Sequence, residues 1–206
     1  MLTCIAFDAD DLVLAPGAPH DARPVRATVA TVVPGIVDAP RHESMVTLSF
    51  TDHAHLHTYL TWSGIGARDD VTVTDDVVMR GADWLDQRWA RGGSALKHVA
   101  VAKRAEGRTL AEMLDGWAGH GGSVQRPGES AIAIPEEVRG LAYVQQHPRI
   151  EGDHEWPYDA ITQVWFDDLD ALEARAAWFA SGPGSGPQAL FQQSWFLALR
   201  EEQLLP

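Results

Sequence analysis

Histidine exchanges protons near neutral pH, so it is the first place to look for acid/base chemistry. Three of the nine histidines lie in the second half of the chain among apolar and amide neighbours: His98, His120 and His147. His147 closes the run AYVQQH at 142–147. On an extended strand Tyr143, Gln145 and His147 share one face and Val144 the other. In AITQVWF at 160–166, Ile161, Gln163 and Trp165 share a face, while Val164 and Phe166 share the opposite one and suit packing under a helix. Those polar faces, with Tyr143, Gln145, His147, Gln163 and Trp165, could hold a small polar aromatic compound. There a histidine could act as general acid or base and Tyr143 could donate to a developing enolate oxygen. His120 and His147 lead as the acid/base pair, and His98 joins them if its strand's pleat turns it inward. Each role has a plainer alternative. Any of the histidines can be structural, Tyr143 can be a core residue with a satisfied hydroxyl, and Trp117 and Trp165 can be core rather than stacking platforms. Asp159 could orient a histidine or hold the start of its strand.

Other clusters offer less. His53, His55 and His57 alternate, which on a strand would gather three metal ligands. On a helix only His53 and His57 share a face, with no carboxylate evident nearby, so a solvated surface competes with a metal site. Cys4 sits within an apolar run and reads as a buried thiol. With one cysteine in 206 residues, an internal disulfide framework and multi-cysteine clusters are excluded. No glycine-rich phosphate loop or nucleophile elbow is present. No cofactor or metal is therefore expected.

The elements that must carry these residues follow from periodicity. Strands are expected over 97–104 (KHVAVAKR), 138–146 (VRGLAYVQQ), 160–166 and 194–205. Thr109, with Glu112 three residues on, predicts a capped helix to about Gly119, since Leu110, Met113, Leu114 and Trp117 fall on one stripe. Asp168 opens a second helix to about Phe179. The order β-α-β-β-α-β is the ferredoxin-like unit. The first half repeats it faintly: Phe50 placed on Phe166 puts Asp52 on Asp168, Leu56 on Leu172 and Trp62 on Trp178. Residues 71–79 then fall on 197–205, and 2–7 on 96–101. The first half lacks room for the Thr109 helix between its first two strands. The organisation expected is a degenerate ferredoxin-like repeat over 1–91 and a second over 95–206 that holds the site, joined at Gly92-Gly93.

Composition bounds the partners. Twenty-nine acidic against 16 basic residues give a net charge of −13, which disfavours nucleic acid and anionic membranes. No apolar run reaches the ~20 residues of a membrane span, and the start lacks a cationic leader. A cytoplasmic protein with a small-molecule partner is expected. Hydrophobic residues at 45% can build a substantial core. Eight tryptophans add flat apolar area for a core, an interface or an aromatic cleft.

The second half resembles the EthD-like family of dimeric α+β barrels. The resemblance is carried by KHVAVAKR, by the helix ending Trp117-Ala-Gly-His120, by AYVQQH and above all by 157–172 (PYDAITQVWFDDLDAL). The family tends to place a histidine four residues after the helix tryptophan, whereas His120 lies three after Trp117. The resemblance implies an α+β fold with two fused ferredoxin-like units packed sheet to sheet, an intramolecular dimeric α+β barrel that could pair again as a homodimer. It also implies a cofactor-independent enzyme on a small carbonyl-bearing, polyketide-like or aromatic compound, a cyclase or lyase acting by cyclisation, dehydration or decarboxylation. A cofactor-free monooxygenase of aromatic compounds and a non-catalytic small-molecule-binding or stress-response protein are the alternatives.

Overall fold

Runs rich in β-branched and aromatic residues, such as Val46–Phe50 and Ile161–Phe166, become strands. The computed structural model describes residues 1–9, 18–64, 68, 70–118, 123–124, 130, 132–150, 154–181 and 190–205. In chain order the strands are β1 (Leu2–Phe7), β2 (Arg26–Val32), β3 (Ser44–Phe50), β4 (Val71–Arg80), β5 (Ser94–Arg104), β6 (Ser123–Val124), β7 (Ile132–Ala133), β8 (Ala142–Pro148), β9 (Ala160–Phe166) and β10 (Phe191–Leu205). The helices are α1 (His53–Ser63), α2 (Ala82–Arg91), α3 (Leu110–Ala118) and α4 (Leu169–Ala180). Eight strands close in the order β1-β3-β2-β10-β5-β9-β8-β4, every pairing antiparallel, and β6 and β7 form a separate small ladder.

This closed eight-stranded antiparallel barrel corrects the expected fold. The halves are not two ferredoxin-like α+β units lying sheet on sheet. They join edge to edge at two hydrogen-bonded seams. The cause is strand length. β10 runs 15 residues, so Phe191–Glu202 pairs with β5 while Leu199–Leu205 pairs with β2 of the first half. β4 runs 10 residues, pairing through Val71–Asp75 with β1 and through Thr74–Arg80 with β8. Each long strand serves both halves and leaves no free edge, as closure requires. The cyclase or lyase activity inferred from the expected fold loses its ground with it.

Local signals hold where capping decides them. Asp52 and Asp168 accept hydrogen bonds from the backbone N–H of His55 (3.0 Å) and Ala171 (2.7 Å), opening α1 and α4 at equivalent points of the two halves. Thr109 and Glu112 form the capping box of α3. The strand expected from Val138 instead starts at Ala142, because Glu136–Val138 is a 3-10 turn and Gly140 adopts φ 74°. A Cβ at Gly140 would lie 2.5 Å from Val164 and 2.7 Å from the Trp165 carbonyl, so the chain crosses β9 there on glycine alone. α2 was not anticipated. It packs Leu85 against Ala95, Val144 and Trp165, covering one end of the barrel.

Alternation sorts the sheet into an inside and an outside. Ile5, Ala30, Met45, Val99, Ile161, Leu197 and Leu199 come from six of the eight barrel strands and meet in one cluster, so they point inward. The same parity carries Lys97, Gln163 and Glu201 inward. Lys97 Nζ, fully buried, donates to Glu201 Oε2 (2.6 Å) and Gln163 Oε1 (2.7 Å). Thr28 Oγ1 and Trp165 Nε1 also donate to Glu201. Gln163 Nε2 donates to Gln146, whose amide donates to Asp76. Outside, α1 covers Leu48, Phe50 and Val73, α4 covers Val164 and Phe166, and α3 covers Ala102 and Ala160.

Removing one partner of a buried ion pair strands the other charge. Lys97→Met should therefore cost about 3–5 kcal/mol in urea unfolding, whereas Lys97→Met with Glu201→Leu should recover most of that loss. Equal losses in the single and double variants would show that the pair does not act as a unit.

Candidate functional site

A cavity of about 330 Å³ lies against the outer face of β5, β8, β9 and β10, reaching residues of α3, α4 and the β6–β7 ladder. Ala100, Ala102, Ala160, Thr162 and Val164 give it a floor of small side chains. Trp117, Phe179, Phe191 and Phe196 contribute aromatic walls. The floor exists because the outward positions of β5 and β9 carry small residues where α3 and α4 diverge.

His98 is the polar feature of that wall. It neighbours Lys97 on β5 and so points outward, between Val164 of β9 and Ala198 of β10. Its ring stacks on Phe179 (5.5 Å) and Phe196 (5.2 Å), and it is 1% exposed. Arg175 of α4 donates from Nε to His98 Nδ1 at 3.3 Å. A guanidinium only donates, so Nδ1 is the acceptor and the ring proton belongs on Nε2. That Nε2 is buried without a partner. Burial, and then the Arg175 charge, hold the imidazole well below its ordinary pKa. His98 is thus a neutral ring presenting an unspent N–H donor.

Beside it, Tyr143, half-buried, also lines the cavity, and burial raises its pKa. Gln145 Nε2 donates to the Tyr143 hydroxyl (3.0 Å), and His147 Nε2 donates to Gln145 Oε1 (3.0 Å). The His147 ring stacks on Trp117 at 4.9 Å, and burial lowers its pKa. Tyr143, Gln145, His147 and Trp117 therefore form one chain under α3.

The residues expected to share one pocket divide between two faces. His98, Tyr143 and Trp117 line the outer cavity, with Gln145 and His147 behind Trp117. Gln163 and Trp165 lie on the barrel interior, in the Lys97–Glu201 network. Asp159 joins neither set. Fully buried, it accepts from the Arg104 backbone N–H (2.9 Å) and from Arg104 and Lys103 side chains, pinning the start of β9. His120 lies outside the described residues. His53 and His57 are exposed on α1, and His55 contacts the Arg23 carbonyl and Thr51. Among the described residues no three His, Cys, Asp or Glu side chains are grouped to hold a metal ion. No described helix is long and apolar enough to cross a membrane.

Sequence reasoning missed two groups. The first is Arg80, Arg139 and Arg175 on the cavity wall. Nothing in the sequence pattern singles out Arg175, which the tertiary packing of α4 buries. The second is Asp8, His42 and Tyr158. Asp8 Oδ2 meets His42 Nδ1 at 2.7 Å, and His42 Nε2 meets the Tyr158 hydroxyl at 3.0 Å. These come from the end of β1, the approach to β3 and the approach to β9, so they clasp the two halves together. They do not line the outer cavity.

Because the folded protein depresses the His98 pKa below the unfolded value of 6.5, the unfolded chain binds more protons below that pH. The resulting stability is present in full above pH 6.5 and declines as pH falls. His98→Phe should flatten the fall of melting temperature between pH 6.5 and 5. An unchanged slope would contradict a buried neutral His98.

No family model, curated protein or solved structure matches this chain, so its site is read from its own geometry.

Proposed function

We propose that this protein binds a small, mostly apolar molecule bearing a hydrogen-bond acceptor in the outer cavity. The carrying observation is His98 Nε2–H, a buried donor with no protein partner, on a residue that lines a cavity floored by small side chains and walled by aromatic rings. An unmet buried donor costs roughly 1–3 kcal/mol, and a ligand carbonyl or carboxylate oxygen would offset that. At about 330 Å³ the cavity stands at the lower end of small-molecule sites. A ligand of one or two fused rings fits that space.

A cofactor-independent enzyme acting on a carbonyl compound is the second reading, favoured by the same donor. Arg175 on Nδ1 makes His98 a donor rather than a proton abstractor. In this reading the ring polarises a carbonyl and Tyr143 sits close by. Turnover that disappears in His98→Phe while binding persists would move the assignment from binding protein to enzyme.

The neutral ketone 6-propionyl-2-dimethylaminonaphthalene, whose emission shifts to the blue in apolar surroundings, tests binding directly. It should bind saturably to the wild type. His98→Phe should weaken it by about 5–10-fold, the worth of one hydrogen bond, and Ala100→Trp should block it by filling the floor. No saturable binding, or binding indifferent to Ala100→Trp, would refute the assignment.

A further inference from the structure

Arg80, Arg139 and Arg175 all line the outer cavity, and no Asp or Glu among the described residues does. This concentration of cations is unexpected in a chain with net charge −13. Arg139 is accounted for: it pairs with Glu136 Oε2 at 3.0 Å, on the solvent side, where the Glu136 side chain is 83% exposed. The other two bond only neutral acceptors. Arg175, 7% exposed, donates to the Val138 carbonyl (2.6 Å) and to His98 Nδ1. Arg80 Nη2 donates to the Arg139 and Gly140 carbonyls, and its buried Nε has no partner. Burial lowers the pKa of both guanidiniums, and for Arg175 burial together with the nearby Arg80 charge, partly offset by Tyr143, gives a value of about 10. Two like charges near enough to repel one another, with Arg175 buried and neither guanidinium bonded to a carboxylate (Glu136 acts on Arg80 only at longer range), are a cost to the empty fold.

We infer that the cavity's ligand is an organic anion, an aromatic or fused-ring carboxylate whose charged group sits at Arg80 and Arg175. One carboxylate oxygen can accept from His98 Nε2–H, and a guanidinium suits the other. The ring system then extends over the small-residue floor toward Trp117 and Phe191 at the α3 end. This inference rests on the proposal that the cavity is the ligand site, and it adds the ligand's charge and orientation.

The test is a matched pair, naphthalene-2-carboxylate and naphthalene-2-carboxamide, titrated calorimetrically into the full chain at pH 7.5. The carboxylate should bind at least ~10-fold more tightly, by about one charge-assisted hydrogen bond over a neutral one. Arg80→Gln should remove most of that preference, weakening the acid far more than the amide. Arg175→Gln should do the same, with circular dichroism reporting whether the Val138 turn survives; if it does not, Arg80→Gln decides alone. An amide that binds as tightly as the acid, or a preference that outlives Arg80→Gln, would overturn the inference while binding of the neutral ketone leaves the cavity assignment standing. If the ketone, acid and amide all fail to bind, the cavity assignment falls first and takes this inference with it.

Discussion

Lys97, sealed inside the barrel and held by Glu201 and Gln163, is the interaction on which the arrangement of the site depends. A closed barrel of eight strands is just wide enough for side chains to fill it. Here aliphatic residues fill one part, and a hydrogen-bonded polar chain from Glu201 through Lys97, Gln163 and Gln146 to Asp76 fills another. Both Glu201 oxygens are used, by Lys97 and Thr28 on one side and by Trp165 on the other. That satisfaction is what makes a buried charge pair tolerable. It also sets the phase of β5: with Lys97 inward, its neighbour His98 must point out.

The interior leaves about 150 Å³ at the α2 end beside Trp89 and Asp76, and the roomier space, about 330 Å³, lies between the barrel and the helices outside it. The helices supply it unevenly. Under α1, Cys4 occupies the outward position of β1 corresponding to His98 on β5, and burial raises its thiol to about 12, an inert group in an apolar layer. Under α3 and α4, the outward positions of β5 and β9 are small, and the helices bring aromatic rings and Arg175 instead of aliphatic fill. The two faces thus share a strand pattern but differ in what is left unpartnered. Unpartnered polar atoms occur on both sides of the sheet, at Thr47, Thr72 and Trp195 facing inward and at His98 and Arg80 on the outer cavity, while the Lys97–Glu201 network is satisfied.

Local structure was largely legible in the sequence, because local structure has local causes. β9 spans the residues that alternation marks, and Asp52, Asp168 and Thr109 cap the helices they precede. Barrel closure was not legible. It depends on β10 and β4 outrunning their first partners, and pairing between Leu199 and Val32 or Thr74 and Pro148 leaves no mark at short range. The candidate site was half legible. Parity correctly grouped Tyr143 with Gln145 and His147, and Gln163 with Trp165. It could not say that the two groups lie on opposite sides of the sheet, because relative pleat between β8 and β9 is set by register: Val144 stands opposite Gln163. The arginines were invisible because they come from the end of β4, the turn before β8 and the middle of α4, and only tertiary packing brings them to one cavity.

Ligand should occupy the outer cavity at His98 and leave the barrel interior unentered. Crystals grown with 6-bromonaphthalene-2-carboxylate, measured at the bromine absorption edge, locate the ligand without reliance on affinity. The account predicts one anomalous peak over the floor of Ala102 and Ala160, with the carboxylate density reaching toward His98, Arg80 and Arg175. A peak at the α2 end of the barrel beside Trp89 and Asp76, or no peak in the outer cavity at saturating ligand, would contradict it.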